Sequence, residues 1–324
     1  MKNILFSKDI YNYFKEMEYE IVNPFPIVNN KDTIFYSAGI QPLLNSYLKG
    51  ELDSEKSLFI AQPVIRTQYL ETLSEGTSLA FINSTTSKFN LSESEYLKLV
   101  NDWLDFFYQI GLEKGNITTS CDFYEDRWNN INLSGNRTFY YYNNIEIGDT
   151  TFFTKIDNQN IDSMCDLGFG IERLRWSANH NSSYFNLFSD SSELSPREKG
   201  LISAISLLAL QGVKPSQKNS GYRARLFSKK LADLLSSRKL NLEDLKYFKE
   251  CITYWQDWQK ICDNFDFSLI ENEYERNCNS NIVNMLVNEG YKVGGINVNI
   301  TWDEMKKRLY SGGVSKERIK KIIR

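Results

Sequence analysis

The segment Met164–Trp176 contains the residues of this sequence that are best placed to do chemistry. It joins an apolar, strand-like run to a helix-like run through Gly168 and Gly170. Because neither glycine has a Cβ, the backbone there could approach a ligand closely. Asp166 precedes the glycines and Arg173 follows them; a carboxylate can hold an ammonium group, and a guanidinium can stack on a base or fork onto phosphate oxygens. The pattern indicates a site for a nucleotide and an amine-bearing substrate. The alternative is an ordinary strand–turn–helix whose helix charges are solvated.

Composition narrows the classes of protein to consider. The chain has 324 residues, of which 41% are hydrophobic, and a net charge of −3. This length suggests roughly two domains. Any contact with nucleic acid must come from a local basic patch, because the protein as a whole is not a polycation.

The sequence has few residues suited to metal binding and no clear targeting segment. The five cysteines include no Cys-x-x-Cys pair, and His180 is the single histidine. We therefore expect no zinc site, no histidine-based triad, and free thiols in a reducing compartment. No apolar run approaches the ~20 residues of a membrane span, and the N-terminal Ile-Leu-Phe is too short for the core of a signal peptide. These features predict a cytoplasmic protein with no membrane partner.

Start signals for helices divide the chain. Ser92 with Glu95 forms a capping box before a long amphipathic helix. An Asn- and Ser-rich stretch from Asn179 to Leu194 is typical of a linker. Ser195, followed by a proline and a box glutamate, then begins another helix. Strand-like runs come before the linker and helical runs after it, so we place the boundary between residues 1–194 and 195–324.

Two segments resemble a known family. Gly168-Phe-Gly-Ile-Glu-Arg173 resembles motif 3 of the class II aminoacyl-tRNA synthetases, and from Asp166 onward it is similar to the alanyl-tRNA synthetase sequence Asp-Thr-Gly-Met-Gly-Leu-Glu-Arg. Residues 212–225, Gly-Val-Lys-Pro-Ser-Gln-Lys-Asn-Ser-Gly-Tyr-Arg-Ala-Arg, closely resemble the family's Gly-Val-Met-Pro-Ser-Asn-Glu-Asn-Arg-Gly-Tyr-Val-Leu-Arg. The resemblance covers residues 8–237 in family order.

The resemblance implies a fold and a domain plan. We expect an α+β catalytic domain over residues 1–194, built on the class II antiparallel sheet flanked by helices. An all-helical domain that recognises a tRNA acceptor stem would follow over residues 195–324. The chain would then be a truncated, divergent member that contains only these two domains.

The resemblance also assigns roles to residues. Arg66, at a strand end before a loop, resembles the motif 2 arginine that grips the α-phosphate and the amino-acid carboxylate, and a fixed guanidinium would stabilise charge in the transition state. Phe81 and Arg173 would clamp the adenine of ATP, with Arg173 also catalytic. Glu146 would hold Mg²⁺. The remaining implied ligands of the amino acid are Asp149, Asp166 and Gly168, of which Asp166 would hold the α-amino group.

Two departures from the family pattern bear on the substrate. At residues 76–83 the chain lacks the family's Arg-His-His-Thr-Phe-Phe-Glu-Met. Gly148 and Asp149 replace a family Trp and Asn. Loss of the Trp would make room, and a buried Asp149 would need a donor or a cation. We therefore expect a substrate longer than alanine that carries an amine or a hydroxyl.

A basic stripe follows the second segment of resemblance. Between residues 214 and 239 the only acidic residue is Asp233, against eight Lys and Arg. Such a stripe suits contact with a phosphate backbone, although a solvated helix face is the alternative. The predicted RNA-binding residues are Asn219, Tyr222, Arg225, Lys229 and Lys230.

Together these features predict an alanyl-tRNA-synthetase-like ligase that uses ATP and Mg²⁺ to form an aminoacyl-adenylate and transfers the amino acid to tRNA. Two alternatives stay open. In one, the adenylate forms but the acceptor is a small molecule or a carrier protein. In the other, the changes at motif 2 have removed catalysis and the chain is an RNA-binding or regulatory relative.

Overall fold

The computed structural model describes residues 7–28, 34–53, 55–74, 76–128, 130–158, 160–179, 184–187, 194–259 and 266–323. His180 and most of the predicted linker lie outside this part of the chain. Contacts divide the chain into two compact units, Met1–Leu187 with Asp257–Gln259, and Phe188–Gln256 with Lys260–Arg324. No described helix is long and apolar enough to cross a membrane.

The first unit is built on a seven-stranded sheet in the order β1-β2-β3-β7-β6-β5-β4. The first pair is parallel and every other pair is antiparallel. The predicted α+β class with an antiparallel sheet is thereby confirmed. The strands are β1 (Glu20–Ile21), β2 (Leu58–Ile65), β3 (Ala80–Ser87), β4 (Ile117–Trp128), β5 (Ile131–Tyr142), β6 (Ile145–Ile156) and β7 (Met164–Gly170).

Helices cover one face of this sheet through aromatic side chains. Trp103 lies 4.5 Å from Phe169 between ring centroids and donates from Nε1 to the hydroxyl of Thr86 at 2.8 Å. Phe14 stacks on Phe59 at 4.3 Å. The opposite face carries a second apolar cluster that includes Ile40, Leu43 and Met164. The helices of this unit are α1 (Ser7–Glu16), α2 (Ile40–Leu48), α3 (Glu93–Gln109) and α4 (Ile171–Ala178).

Helices are the only regular elements among the described residues of the second unit, as predicted. Its first helix begins at the predicted capping box, where the Ser195 hydroxyl accepts from the N–H of Glu198. Packing joins α6 to α5 and to α8. The helices are α5 (Pro196–Leu210), α6 (Asn219–Leu234), α7 (Leu242–Gln259), α8 (Ser268–Asn288), α9 (Trp302–Ser311) and α10 (Lys316–Ile322).

Candidate functional site

One pocket in the first unit brings together residues that the sequence analysis selected from distant segments. It lies on the sheet face opposite to the one that contacts the aromatic helices. Six of the predicted site residues line it, and Asp166 lies beside it on β7. Tyr69, Ser78, Asn83 and Tyr184 also line it, and these had not been predicted. The six predicted residues are Arg66, Phe81, Glu146, Asp149, Gly168 and Arg173.

Strand register places the two aspartates on one face. Asp149 on β6 pairs with Gly168 on β7, and Thr151 pairs with Asp166. Residues paired across an antiparallel ladder point to the same side, so Asp149 and Asp166 are diagonal neighbours, ~7–8 Å apart at most between Cβ atoms. Gly168 adds no side chain between them, and a Cβ there would lie 3.7 Å from Oδ1 of Asp166. The nearest atom to that Cβ position is Nδ2 of Asn83 at 3.1 Å, so the Asn83 amide lies directly against the glycine.

A bulge brings Glu146 to the same face as Asp149. Strict alternation would put positions 146 and 149 on opposite faces. The register between β5 and β6 shifts between Tyr140 and Tyr141, so that Phe139 pairs with Asp149 and Tyr141 pairs with Glu146. β-bulges often re-aim side chains next to functional sites. Here the bulge turns both acids toward the pocket.

Arg66 lies immediately after β2, and two contacts fix its guanidinium. Nε donates to the backbone oxygen of Ser37 at 3.0 Å, and Cζ lies 4.9 Å from the centre of the Phe81 ring. The guanidinium is thus held at the pocket. The Phe81 ring, predicted to stack on adenine, lies beneath this arginine.

Arg173 is held by the backbone and by an acid. Its Nε donates to the backbone oxygen of Gly76 at 3.0 Å, and one terminal nitrogen donates to Oε1 of Glu146 at 2.9 Å. The neighbouring Glu172 is fully buried, and both of its carboxylate oxygens accept from the N–H of Ile82, at 3.0 and 3.1 Å. The charges of this helix are therefore structural and are not simply solvated.

Burial raises the pKa of both aspartates and so favours their neutral form. Burial raises the pKa of Asp149 to about 6, although Arg66 and Arg137 act in the opposite direction. The pKa of Asp166 is raised well above its usual value, first by burial and then by the charge of Asp149. Oδ1 of Asp166 is buried and accepts no hydrogen bond from the described residues. A cationic ligand would remove the cost of ionising both groups.

Asn83 was not predicted, yet its amide is fixed at the pocket. Its oxygen accepts from the N–H of Gly39 at 2.7 Å and from the Thr85 hydroxyl at 3.0 Å. This orients the amide nitrogen toward the backbone of Gly168, where a Cβ would lie 3.1 Å from it. The signal in the sequence is an asparagine in an otherwise buried strand, since buried polar side chains need a partner.

The space expected beside Gly148 is absent. A Cβ at this position would lie 2.3 Å from the backbone oxygen of Gly168 and 2.4 Å from the ring of Phe169. The expectation that the missing Trp makes room in the pocket is therefore wrong, because this position points into packed structure.

The described residues do not build a metal site by themselves. No three His, Cys, Asp or Glu side chains among them converge to hold a metal ion. The acid predicted for Mg²⁺, Glu146, is ion-paired with Arg173. Its role as a metal ligand stays a prediction, and no chemical step below depends on a metal.

The predicted RNA-binding residues lie on α6 with unequal exposure. Asn219 begins the helix with a φ of 51° and is exposed, as are Tyr222 and Lys229. Arg225 lies 3.5 Å from a carboxylate oxygen of Glu273 on α8. Lys230 is half-buried and has a partner of its own. The exposed part of the predicted surface is therefore Asn219, Tyr222 and Lys229, which we call the α6 face.

The comparisons with known proteins find likeness at the level of solved structures. No family model matches the chain, and no curated protein matches it. Among solved structures, the chain is similar to a pyrrolysyl tRNA synthetase, PylSc, of Desulfitobacterium hafniense. The identity is 12%, the match covers 55% of this chain and 69% of that chain, and the TM-score is 0.38. A likeness of this extent says nothing about the substrate or the site residues of this chain.

Proposed function

We propose that this chain is an alanyl-tRNA-synthetase-like ligase, which joins an amino acid to AMP at the expense of ATP and then transfers the acyl group to an RNA acceptor. One observation carries the proposal. Arg66, Arg173 and Asp149, which come from separate segments of the sequence, line a single pocket together with Gly168, and Asp166 lies beside it. They are the groups that the motif resemblance assigns to ATP and to the amino acid.

In the first step the amino-acid carboxylate attacks the α-phosphorus of ATP. A carboxylate oxygen–phosphorus bond forms, the bond to the β-phosphate bridge breaks, and pyrophosphate leaves. Arg66 would neutralise charge that develops at phosphorus, and its fixed position means that little reorganisation is needed. Asp166 would hold the α-ammonium group and so align the carboxylate for attack. No side-chain nucleophile is required.

In the second step a hydroxyl of the acceptor attacks the acyl carbon and AMP leaves. The α6 face supports an RNA acceptor, since it offers an amide, an aromatic ring and a cation on one exposed surface. Amides and rings can contact bases, and cations can contact phosphates. A stem placed there would be held by phosphate contacts and read by Asn219.

The alternative acceptor, a small molecule or a carrier protein, is favoured by a different observation. The ion pair of Arg225 with Glu273 removes one cation from the surface predicted to bind RNA. Incubating the enzyme, ATP and labelled amino acid with or without total tRNA separates the two cases, because only an RNA acceptor becomes labelled in a ribonuclease-sensitive form.

Amino-acid-dependent exchange of pyrophosphate into ATP tests the proposal. Exchange should appear with at least one amino acid and fall ~100-fold in Arg66→Ala, as expected when a preorganised transition-state donor is lost. Arg127→Ala is the matched control, because Arg127 is exposed on β4 and does not line the pocket. Absence of exchange with every amino acid, together with absence of ATP binding, would refute the proposed activity.

A further inference from the structure

We propose that the amino-acid substrate carries a second amine, so that Asp166 binds the α-ammonium group and Asp149 binds a side-chain ammonium group. This inference rests on the proposed function and specifies its substrate class. The charges on the pocket face of the sheet support it.

Two ion pairs on that face are already complete. Arg137 donates to both carboxylate oxygens of Asp122, at 2.9 and 2.6 Å, and its guanidinium lies against two aromatic rings. Arg173 is paired with Glu146 at 2.9 Å. Each arginine therefore already has a carboxylate partner, although Arg137 also acts to lower the pKa of Asp149.

The other charged side chains considered on this face are Asp149, Asp166 and Arg66. No described residue forms an ion pair within 4.0 Å of either aspartate or donates a hydrogen bond to it, and Oδ1 of Asp166 is buried. A zwitterionic substrate with a neutral side chain adds no net charge, so one carboxylate would stay uncompensated. A diamino acid adds one positive charge and balances all three groups, which avoids the penalty for an unpaired buried charge.

The geometry suits two amines better than one. The diagonal register separates the aspartates by up to ~7–8 Å between Cβ atoms, and Gly168 adds no side chain between them, although the Asn83 amide lies against it. The α-carboxylate would meet Arg66, while the two ammonium groups meet separate acids.

Paired substrates test the inference. Exchange kinetics are measured with lysine, ornithine and 2,4-diaminobutyrate against the neutral chains norleucine, norvaline and 2-aminobutyrate. At least one diamino acid should exceed its neutral counterpart by 10-fold or more in kcat/KM. Asp149→Asn should reduce that ratio to about one, and Asp149→Glu should retain part of it. Asp157→Asn, an exposed carboxylate outside the pocket, should leave it unchanged.

The outcomes separate this inference from the proposed function. Exchange that prefers the neutral chains overturns the second amine and leaves the proposed activity standing. Binding of a diamino acid by calorimetry that is lost in Asp149→Asn, without exchange for any amino acid and without ATP binding, supports the two-amine site and refutes the activity. If neither exchange nor binding is observed, both the proposed activity and the two-amine site are refuted, provided that circular dichroism shows the variants to be folded.

Discussion

Arg173 on α4 and Glu146 on β6 form an ion pair across the candidate site, with 2.9 Å between the guanidinium nitrogen and Oε1. The same guanidinium nitrogen lies 3.2 Å from the backbone oxygen of Glu146, and Nε bonds to the backbone of Gly76. The guanidinium plane is therefore fixed by three bonds before any ligand enters. Such a plane is suited to lie on an adenine ring, because stacking requires orientation as well as charge.

Replacing this plane with a point charge should weaken nucleotide binding. Arg173→Lys keeps the charge but cannot reach Gly76 and Glu146 together, so we expect ATP affinity to fall ~10-fold through loss of the fork and of stacking. Isothermal titration with ATP measures it. Arg175→Lys on the same helix is the control, since Arg175 does not line the pocket. Equal ATP affinities for the two variants would show that Arg173 has only a structural role.

The half-buried Asp149 should make the stability of the protein depend on pH. Burial raises its pKa to about 6 from 3.8, so the folded state binds the proton more tightly than the unfolded state. The resulting stabilisation is present in full below pH 3.8 and is lost as the pH rises through 6. Asp149→Asn cannot ionise, so its stability relative to the wild type should increase between pH 4 and pH 7 by ~1–2 kcal/mol, allowing for partial exposure.

Urea unfolding of the wild type and of Asp149→Asn, at pH values from 4 to 7, measures this difference in stability. Asp157→Asn is the control, because its carboxylate is exposed. A stability difference for Asp149→Asn that stays constant from pH 4 to pH 7 would contradict the raised pKa.

The crowding at Gly148 predicts that a side chain at this position lowers the stability of the protein. A methyl group there would meet the backbone of Gly168 and the ring of Phe169 at under 2.5 Å. We therefore expect Gly148→Ala to lower the free energy of unfolding by ~1–3 kcal/mol or more, the usual cost of overpacking. Gly115→Ala is the matched control, since a Cβ there meets nothing within 4 Å. Denaturant unfolding that shows equal stability for the two variants would mean that the strands can separate to admit a side chain.

Local signals in the sequence were enough to predict the elements. Ser92 and Ser195 are the caps of their helices because each precedes a glutamate by three residues and both halves of the box form. Local signals also predicted the strand, the glycines and the helix that carry Asp166 and Arg173, since all of these signals lie within one short segment. Side chains on one such segment can be placed without knowledge of the rest of the fold.

Features that depend on strand pairing could not be read from the sequence. The bulge opposite Tyr140 and Tyr141 decides which acids share a face, and alternation within β6 alone gives the wrong relation between positions 146 and 149. The fixed amide of Asn83 depends on a backbone N–H from Gly39, 44 residues away. The direction of Gly148 was misjudged for the same reason, because it is set by the β7 residues opposite.

Salt-dependent binding of RNA should distinguish cations that are free from those already paired. Each phosphate contact that is lost reduces the slope of log affinity against log salt by about 1. Lys229 is exposed on the α6 face, so Lys229→Ala should show this full reduction. Arg225→Ala should show a smaller one, because Arg225 lies beside Glu273 and releases fewer counterions on binding. Asn219→Ala should leave the slope unchanged and reduce discrimination between acceptor stems, since an amide reads base edges.

Filter binding of total tRNA between low and moderate salt measures these slopes. Lys249→Ala is the matched control, because Lys249 is an exposed lysine of α7 outside the basic stripe. If Lys229→Ala and Lys249→Ala have the same slope as the wild type, no phosphate lies against the α6 face, because a cation in contact with the backbone must release counterions when RNA binds. The stripe would then be a solvated helix surface, and the acceptor of the activated amino acid would have to be a small molecule or a carrier protein.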